Sequence, residues 1–283
     1  MIPRDYITEW RAHAPWAQDF QVEQDLVISR ALVSIFAHPV LARSLAFRGG
    51  TALYKLHLAP ARYSEDLDFV QINAEPAGPL MKAMREALDP WLGTPKWKQS
   101  EGRVTFHYRF TSEDVPPLAL RLKVEINSRE HFSVFGIKKS PFSVPSRWFQ
   151  GEAQIGTYEL EELLGTKMRA LYQRKKGRDL FDLAVALAHP ALDPERVTFS
   201  FLRYMEHGGH RVSRAEFERN MNAKLSDGQF TADIGPLLSP GYRWNIAGAA
   251  DIVLSRLIAR LPGDPWKGDP AAPSRLSAGD VDV

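Results

Sequence analysis

The 283-residue chain contains no cysteine, which excludes structural disulfides, thiol nucleophiles and zinc sites built on thiolates. No uncharged apolar run approaches the ~18 residues of a membrane span, so no membrane partner is expected. The opening residues, MIPRDYITEWR, are charged within their first five positions and hold no apolar stretch suited to export, so a cytoplasmic protein is expected. An excess of one charge is missing too. Lys and Arg number 36 against 34 Asp and Glu, a net charge of +2, and only the placement of the basic residues can mark a polyanionic partner. Internal repeats are absent. What is present is 44% hydrophobic and 25% charged residues, a composition that excludes dominant disorder and suits one large or two ordinary domains.

The pattern of apolar residues divides the chain. Residues 21–36 place Val22, Leu26, Val33 and Phe36 at helical spacing. Between about 45 and 126 the period shifts toward two. Leu45-Ala46-Phe47 runs into Gly49-Gly50, and residues 62–70 alternate Ser64, Asp66 and Asp68 with Leu67 and Phe69. RVTFHYRF (103–110) and LALRLKVEI (118–126) each put apolar side chains on one side, and SEDVPP between them suits a hairpin. Helical patterns at 51–58 and 78–92 are interspersed, which predicts a mixed sheet with packed helices. After residue 158 helical periods dominate: 159–174, with glutamates in the first turn, then 179–188, 198–224 and 244–261. The expected organisation is an α/β (α+β) core over 1–150, a mostly helical domain over 151–261 and a flexible Pro/Gly/Asp/Ser-rich tail over 262–283.

Chemistry concentrates in Gly49-Gly50-Thr51, in Ser64-Glu65-Asp66-Leu67-Asp68, and in Glu125 on a later strand. Side chains two apart on a strand share a face, so Asp66 and Asp68 point the same way. Two carboxylates held so close repel unless a cation neutralises them, and oxygen-only ligands suit Mg²⁺ or Mn²⁺. A glycine pair at a strand end lets phosphate approach the amide groups of the helix that follows. Glu125 is a candidate third carboxylate, either for a second metal or as a base for an attacking hydroxyl. The plainer alternative is a solvated turn capped by Ser64 and Asp66, and a tight turn at the glycines. The order strand, Gly-Gly, helix, acid-bearing strand favours metal-assisted transfer from a nucleoside triphosphate.

Those residues carry a resemblance. Phe47 through Leu53 (FRGGTAL) with Arg62 through Phe69 (RYSEDLDF), and later Thr157 through Lys167 (TYELEELLGTK) with Lys175 through Leu183 (KKGRDLFDL), resemble the AbiEii/AbiGii-type nucleotidyltransferase toxins over roughly residues 20–225. The resemblance implies a DNA polymerase β-like core followed by a helical domain, and membership of a toxin–antitoxin or phage-defence pair. It further implies an NTP substrate, a cognate antitoxin, and transfer of a nucleotide to the 3′ acceptor end of tRNA. On this resemblance Gly49, Gly50 and Ser64, with Thr51 beside them, hold the triphosphate, and Asp66 and Asp68 bind metal. Lys167 matches the motif lysine, and Asp179 and Asp182 match the Arg-Asp-x-x-Asp helix. Glu125 is placed only by analogy with the wider superfamily. The alternatives are transfer to a small-molecule or protein hydroxyl, and a non-catalytic NTP-binding regulator.

Lys167 lies on the apolar face of its helix, where an ammonium must snorkel, pair with an acid or meet a phosphate. Asp179 and Asp182, three apart, share a helix side, and an ion pair from Lys167 or Arg178 to one of them would tie two helices together. From Lys167 to Arg178 there are six basic residues and no acidic one. This run is either a solvated helix end or a contact for a nucleic-acid backbone. Arg211, Arg214, Arg219 and Lys224 form a sparser basic group. His207 and His210 lack metal-ligand spacing, and the tryptophans are expected in the core or an interface. No motif speaks to oligomeric state or to the choice of NTP.

Overall fold

In the computed structural model, which describes residues 2–268, the two periods of the sequence resolve into eleven α-helices and one seven-stranded sheet. Helices α1 (Arg4–Trp10), α2 (Asp19–Ala37) and α3 (Pro39–Ser44) lead into β1 (Leu45–Arg48), α4 (Gly49–Leu56), β2 (Asp66–Gln71) and α5 (Ala77–Leu92). Five strands follow: β3 (Lys96–Ser100), β4 (Arg103–Thr111), β5 (Ala119–Asn127), β6 (Lys138–Pro145) and β7 (Gln150–Thr157). The remainder is helical, with α6 (Leu160–Gln173), α7 (Gly177–Ala186), α8 (Pro194–His207), α9 (Arg214–Leu225), α10 (Gly228–Ala232) and α11 (Ile246–Arg256).

The strand order is β3-β4-β5-β2-β1-β7-β6, so the acid-bearing β2 lies at the centre, antiparallel to β1 and parallel to β5. Alternation fixes which face is buried, because a one-residue slip would turn every apolar side chain to water. Val104, Phe106 and Tyr108 of β4 and Leu122, Val124 and Ile126 of β5 are almost wholly buried against the side carrying α2 and α5. The odd-numbered residues of both strands face the open side. Helix α2 is buried on nearly all sides. Its Asp25 is satisfied by Trp10 Nε1 at 2.8 Å, Trp16 Nε1 at 3.1 Å and Lys55 Nζ at 2.6 Å, which fastens the amino-terminal segment to α4.

Three strands escaped the sequence reading. In β3 (KWKQS) every residue is exposed, so it carries no apolar alternation. The β6–β7 hairpin holds Pro141, Pro145 and Gly151 and buries little beyond Val144 and Ile155. Prolines are tolerated there because β6 is an edge strand. Residue 150, the expected core limit, opens β7, and the sheet continues to Thr157, whose hydroxyl donates to the Phe47 carbonyl at 2.8 Å. Of the expected tail, residues 262–268 run against α9: the Arg214 amide donates to the Pro262 carbonyl at 2.9 Å and the Trp266 amide to Glu218 at 2.7 Å. Residues 269–283 lie outside the described residues.

Candidate active site

The strand-to-helix turn after β1 is set by Gly49, whose φ of +84° is the left-handed backbone that side chains disfavour. A Cβ there would stand 2.5 Å from Asp68 Oδ2, so glycine is also needed for close approach to β2. A Cβ on Gly50 would meet Arg62 Nη2 at 2.3 Å and Ser64 Oγ at 3.0 Å. Arg48, Gly49 and Gly50 thus form one wall of a cleft of about 640 Å³. The β2 carboxylates Asp66 and Asp68, together with Ser64, Lys123 and Glu125, form its floor, and α6 residues Lys167, Arg169 and Arg174 close the far side.

Asp66 and Asp68 share the open face as expected, and Asp68 stands directly beside Glu125 in the parallel ladder. The expected triad is not a ready cage: among the described residues no three carboxylate or histidine side chains are gathered for a metal. Lys123 stands among these carboxylates. Its Nζ lies 3.4 Å from Asp66 and 3.1 Å from Glu125, and Arg103 adds a contact to Glu125 at 3.3 Å. The Asp68 side chain has neither hydrogen bond nor ion pair among the described residues, although the Lys123 and Arg48 charges act on it from farther off. Burial, and then the neighbouring Asp66 charge, raise its carboxyl above the ordinary value. An under-neutralised pair of oxygen ligands at a phosphate-sized cleft fits Mg²⁺ or Mn²⁺ held through one or two carboxylates, with waters and phosphates completing the shell.

Thr51 is placed differently from the glycines. It is buried and does not line the cleft. Its hydroxyl donates to the Asp66 carbonyl at 2.6 Å and lies 3.0 Å from Ser64 Oγ, so it fixes β2 and Ser64 to α4.

Lys167, Asp179 and Asp182 come together on the far wall, with a partner absent from the sequence reading. Arg62 grips Asp182 with two bonds, Nε–Oδ1 at 2.6 Å and Nη2–Oδ2 at 2.7 Å, and the Tyr54 hydroxyl donates to Oδ1 at 2.8 Å. Lys167 Nζ lies 3.0 Å from Asp182 and 3.2 Å from Asp179, and Arg174 clasps Asp179 through Nε at 2.7 Å and Nη2 at 2.9 Å. Both aspartates are fully buried. Burial alone would raise Asp182, but Arg62 and Lys167 outweigh it and hold the carboxyl well below its ordinary value. Asp179 is likewise lowered, by Lys167 and Arg174 against burial. The expected tie between helices exists, made by Lys167 and not by Arg178, whose guanidinium lies 3.9 Å from Asp233. Arg62 itself is positioned by a bridge between its strand-like segment and Leu238. In sequence Arg62 only opened the RYSEDLDF stretch, with no role read for it.

A third knot joins the walls. Glu130 accepts from Arg48 at 2.9 Å and from Arg169 at 3.0 Å. Burial would raise its carboxyl, yet the two guanidiniums hold it at about 2. The basic run from 167 to 178 is accordingly paired throughout. Lys175 meets Asp227 at 2.8 Å and Lys176 meets Asp233 at 3.5 Å, beside the pairs already described. Lys224 is buried and donates to the carbonyls of Leu171 and Tyr172, capping α6. His207 stacks on Phe132 at 4.3 Å, and Trp10 and Trp16 are core residues.

A central strand carrying two carboxylates, a glycine pair opening a helix beside them, and a cation-rich facing wall define a nucleotidyltransferase. The model of the AbiEii nucleotidyl transferase toxin family, of type IV toxin–antitoxin systems, matches residues 30–249, and the chain belongs to that family. Membership gives it an NTP as substrate and a cognate antitoxin as partner. Two solved structures share the fold. A nucleotidyltransferase from H. pylori is 18% identical with a TM-score of 0.57, over 85% of this chain and 95% of that chain. MenT4, a nucleotidyltransferase toxin from Mycobacterium tuberculosis H37Rv, is 16% identical with a TM-score of 0.58, over 93% and 91%. No curated protein matches the sequence. Among the described residues no helix is long and apolar enough to cross a membrane.

Proposed function

We propose that the chain is a cytoplasmic, Mg²⁺- or Mn²⁺-dependent enzyme that moves a nucleoside monophosphate from an NTP to the 3′ acceptor end of tRNA, blocking translation. The observation that carries this reading is the partnerless, under-neutralised Asp68 beside Asp66 at the amide-bearing start of α4. Asp66 and Asp68 hold the divalent metal, which when bound stabilises charge on the nonbridging and leaving oxygens. The Gly49 and Gly50 backbone and Ser64 cradle the triphosphate. An ammonium has three N–H donors. Asp179 and Asp182 engage two on Lys167, so the third is available to a phosphate oxygen at the cleft wall. Asp179 and Asp182 are positioning residues for that lysine, and Glu125 holds Lys123 beside the metal pair. The acceptor 3′-hydroxyl attacks the α-phosphorus and gives its proton to solvent, the new P–O bond forming as the α–β P–O bond breaks and pyrophosphate leaves, and catalysis is chiefly positioning and electrostatics.

Purified protein given total tRNA, Mg²⁺ and each labelled NTP in turn should label tRNA with one or two of them. Asp66→Ala should abolish transfer while the melting temperature is kept. A fully active Asp66→Ala variant overturns the site. Pyrophosphate release without labelled tRNA, in the presence of cell extract, overturns the acceptor alone.

A further inference from the structure

Two groups of cations beside the cleft contrast. Those of the run from 167 to 178 are each paired with a carboxylate. On the open face of the sheet, Lys96 and Lys98 of β3, Arg109 of β4 and Arg121 of β5 are exposed and have no hydrogen bond or ion pair from their side chains among the described residues. Register places them in rows that lead to the carboxylates. Lys98 opposes Thr105, Thr105 opposes Glu125, and Glu125 opposes Asp68; in the next row Lys96, His107, Lys123 and Asp66 line up, with Arg109 opposite Arg121 alongside. At ~4.8 Å per strand the rows extend about 14 Å from β2 to the edge.

We propose that this face, formed by β5, β4 and β3, is where the phosphate backbone of the acceptor RNA lies as its 3′ end enters the cleft. The proposal rests on the tRNA reading above. A free cation meets a phosphate without first breaking a carboxylate pair, so the sheet face, and not the paired helical run, is the stronger polyanion surface. Arg109 and Arg121 adjoin Lys123 and lead to Asp66, with Lys96 and Lys98 beyond His107 and Thr105 at the outer edge, so the track ends where an attacking 3′-hydroxyl must arrive. An acidic protein partner would have no need of that continuity. Trp97 opposes Phe106 on the other face, so the track offers charge without an aromatic stacking platform and grips backbone rather than bases.

The test is fluorescence anisotropy with an RNA hairpin bearing a single-stranded 3′ overhang, across a salt series. It compares wild type, a Lys98→Gln/Arg109→Gln/Arg121→Gln variant and a Lys175→Gln/Lys176→Gln variant. At about 0.7 per phosphate contact on a single strand, the triple variant should lower the slope of log K against log salt by about 2. Its affinity should fall more than ~10-fold at low salt, with NTP binding unchanged. The Lys175/Lys176 variant should match wild type. An unchanged triple variant, or loss in the Lys175/Lys176 variant instead, overturns the surface while leaving tRNA labelling by wild type intact. Wild type that labels no RNA yet consumes NTP with another acceptor overturns the tRNA reading, and the surface with it.

Discussion

Two pairs of aspartates are treated in opposite ways, Asp66 and Asp68 lining the cleft and Asp179 and Asp182 buried behind its far wall. Asp179 and Asp182, on a helix, are sealed from water and surrounded by Arg62, Lys167 and Arg174, three cations for two charges. Asp66, Asp68 and Glu125, on strands, have direct ion pairs among the described residues only from Lys123 and Arg103, and Asp68 has none. The first group is complete and acts as a lock between the halves of the chain. The second has fewer directly paired cations than carboxylates, which favours recruiting a metal. Similar spacing of similar residues therefore says little about role; the local count of cations decides it.

The contrast can be broken by mutation. Asp182→Ala strands Arg62 and Lys167 in a buried site and should cost about 3–5 kcal/mol in chemical denaturation, whereas Asp68→Asn, which removes a repelling charge, should leave stability unchanged or higher. Equal losses in the two variants would abolish the distinction. Acid sharpens it. Asp179 and Asp182 have lowered folded values, so their stabilisation is complete above the unfolded value of ~3.9 and is lost as pH falls through the folded values. The stability gap between wild type and Asp182→Ala should accordingly be widest at neutral pH and narrow below about pH 4. A gap independent of pH would mean that packing, not charge, makes the lock. The smallest effect is expected at the hinge between the clusters. Thr51→Val removes one hydrogen bond to the Asp66 carbonyl and should cost about 1 kcal/mol, with transfer reduced but measurable. Complete loss of transfer would instead put Thr51 in contact with the nucleotide.

Much of this was legible in the residues. The alternation in 103–110 and 118–126 fixed the hairpin and its buried face, and the spacing of Asp66 and Asp68 fixed their common side. Strands β3 and β6 were not legible because exposed edge strands carry little hydrophobic pattern, and β7, though interior, is polar or glycine along most of its length. The partners of the motif residues were hidden for another reason. Arg62 meets Asp182 across 120 positions, and Glu130 joins Arg48 to Arg169 from a loop; no local period encodes such meetings. Lys123 was visible as a polar residue two before Glu125, yet its effect on the carboxylates depends on β5 lying parallel beside β2, which only the assembled sheet reveals. The six basic residues between 167 and 178 were conspicuous in sequence and proved to be paired with carboxylates elsewhere in the chain.

The clasp between Arg62 and Asp182 also orders events in time. By residue 150 a growing chain holds both strand carboxylates and both glycines, but neither Lys167 nor the acid that fixes Arg62. Closing so long a loop comes after the local contacts have formed. The far wall is therefore finished only after residue 182 has emerged from the ribosome, and a product truncated before it carries the reactive half without its counterpart. For a nucleotidyltransferase toxin, synthesis itself delays the moment at which it can begin its work.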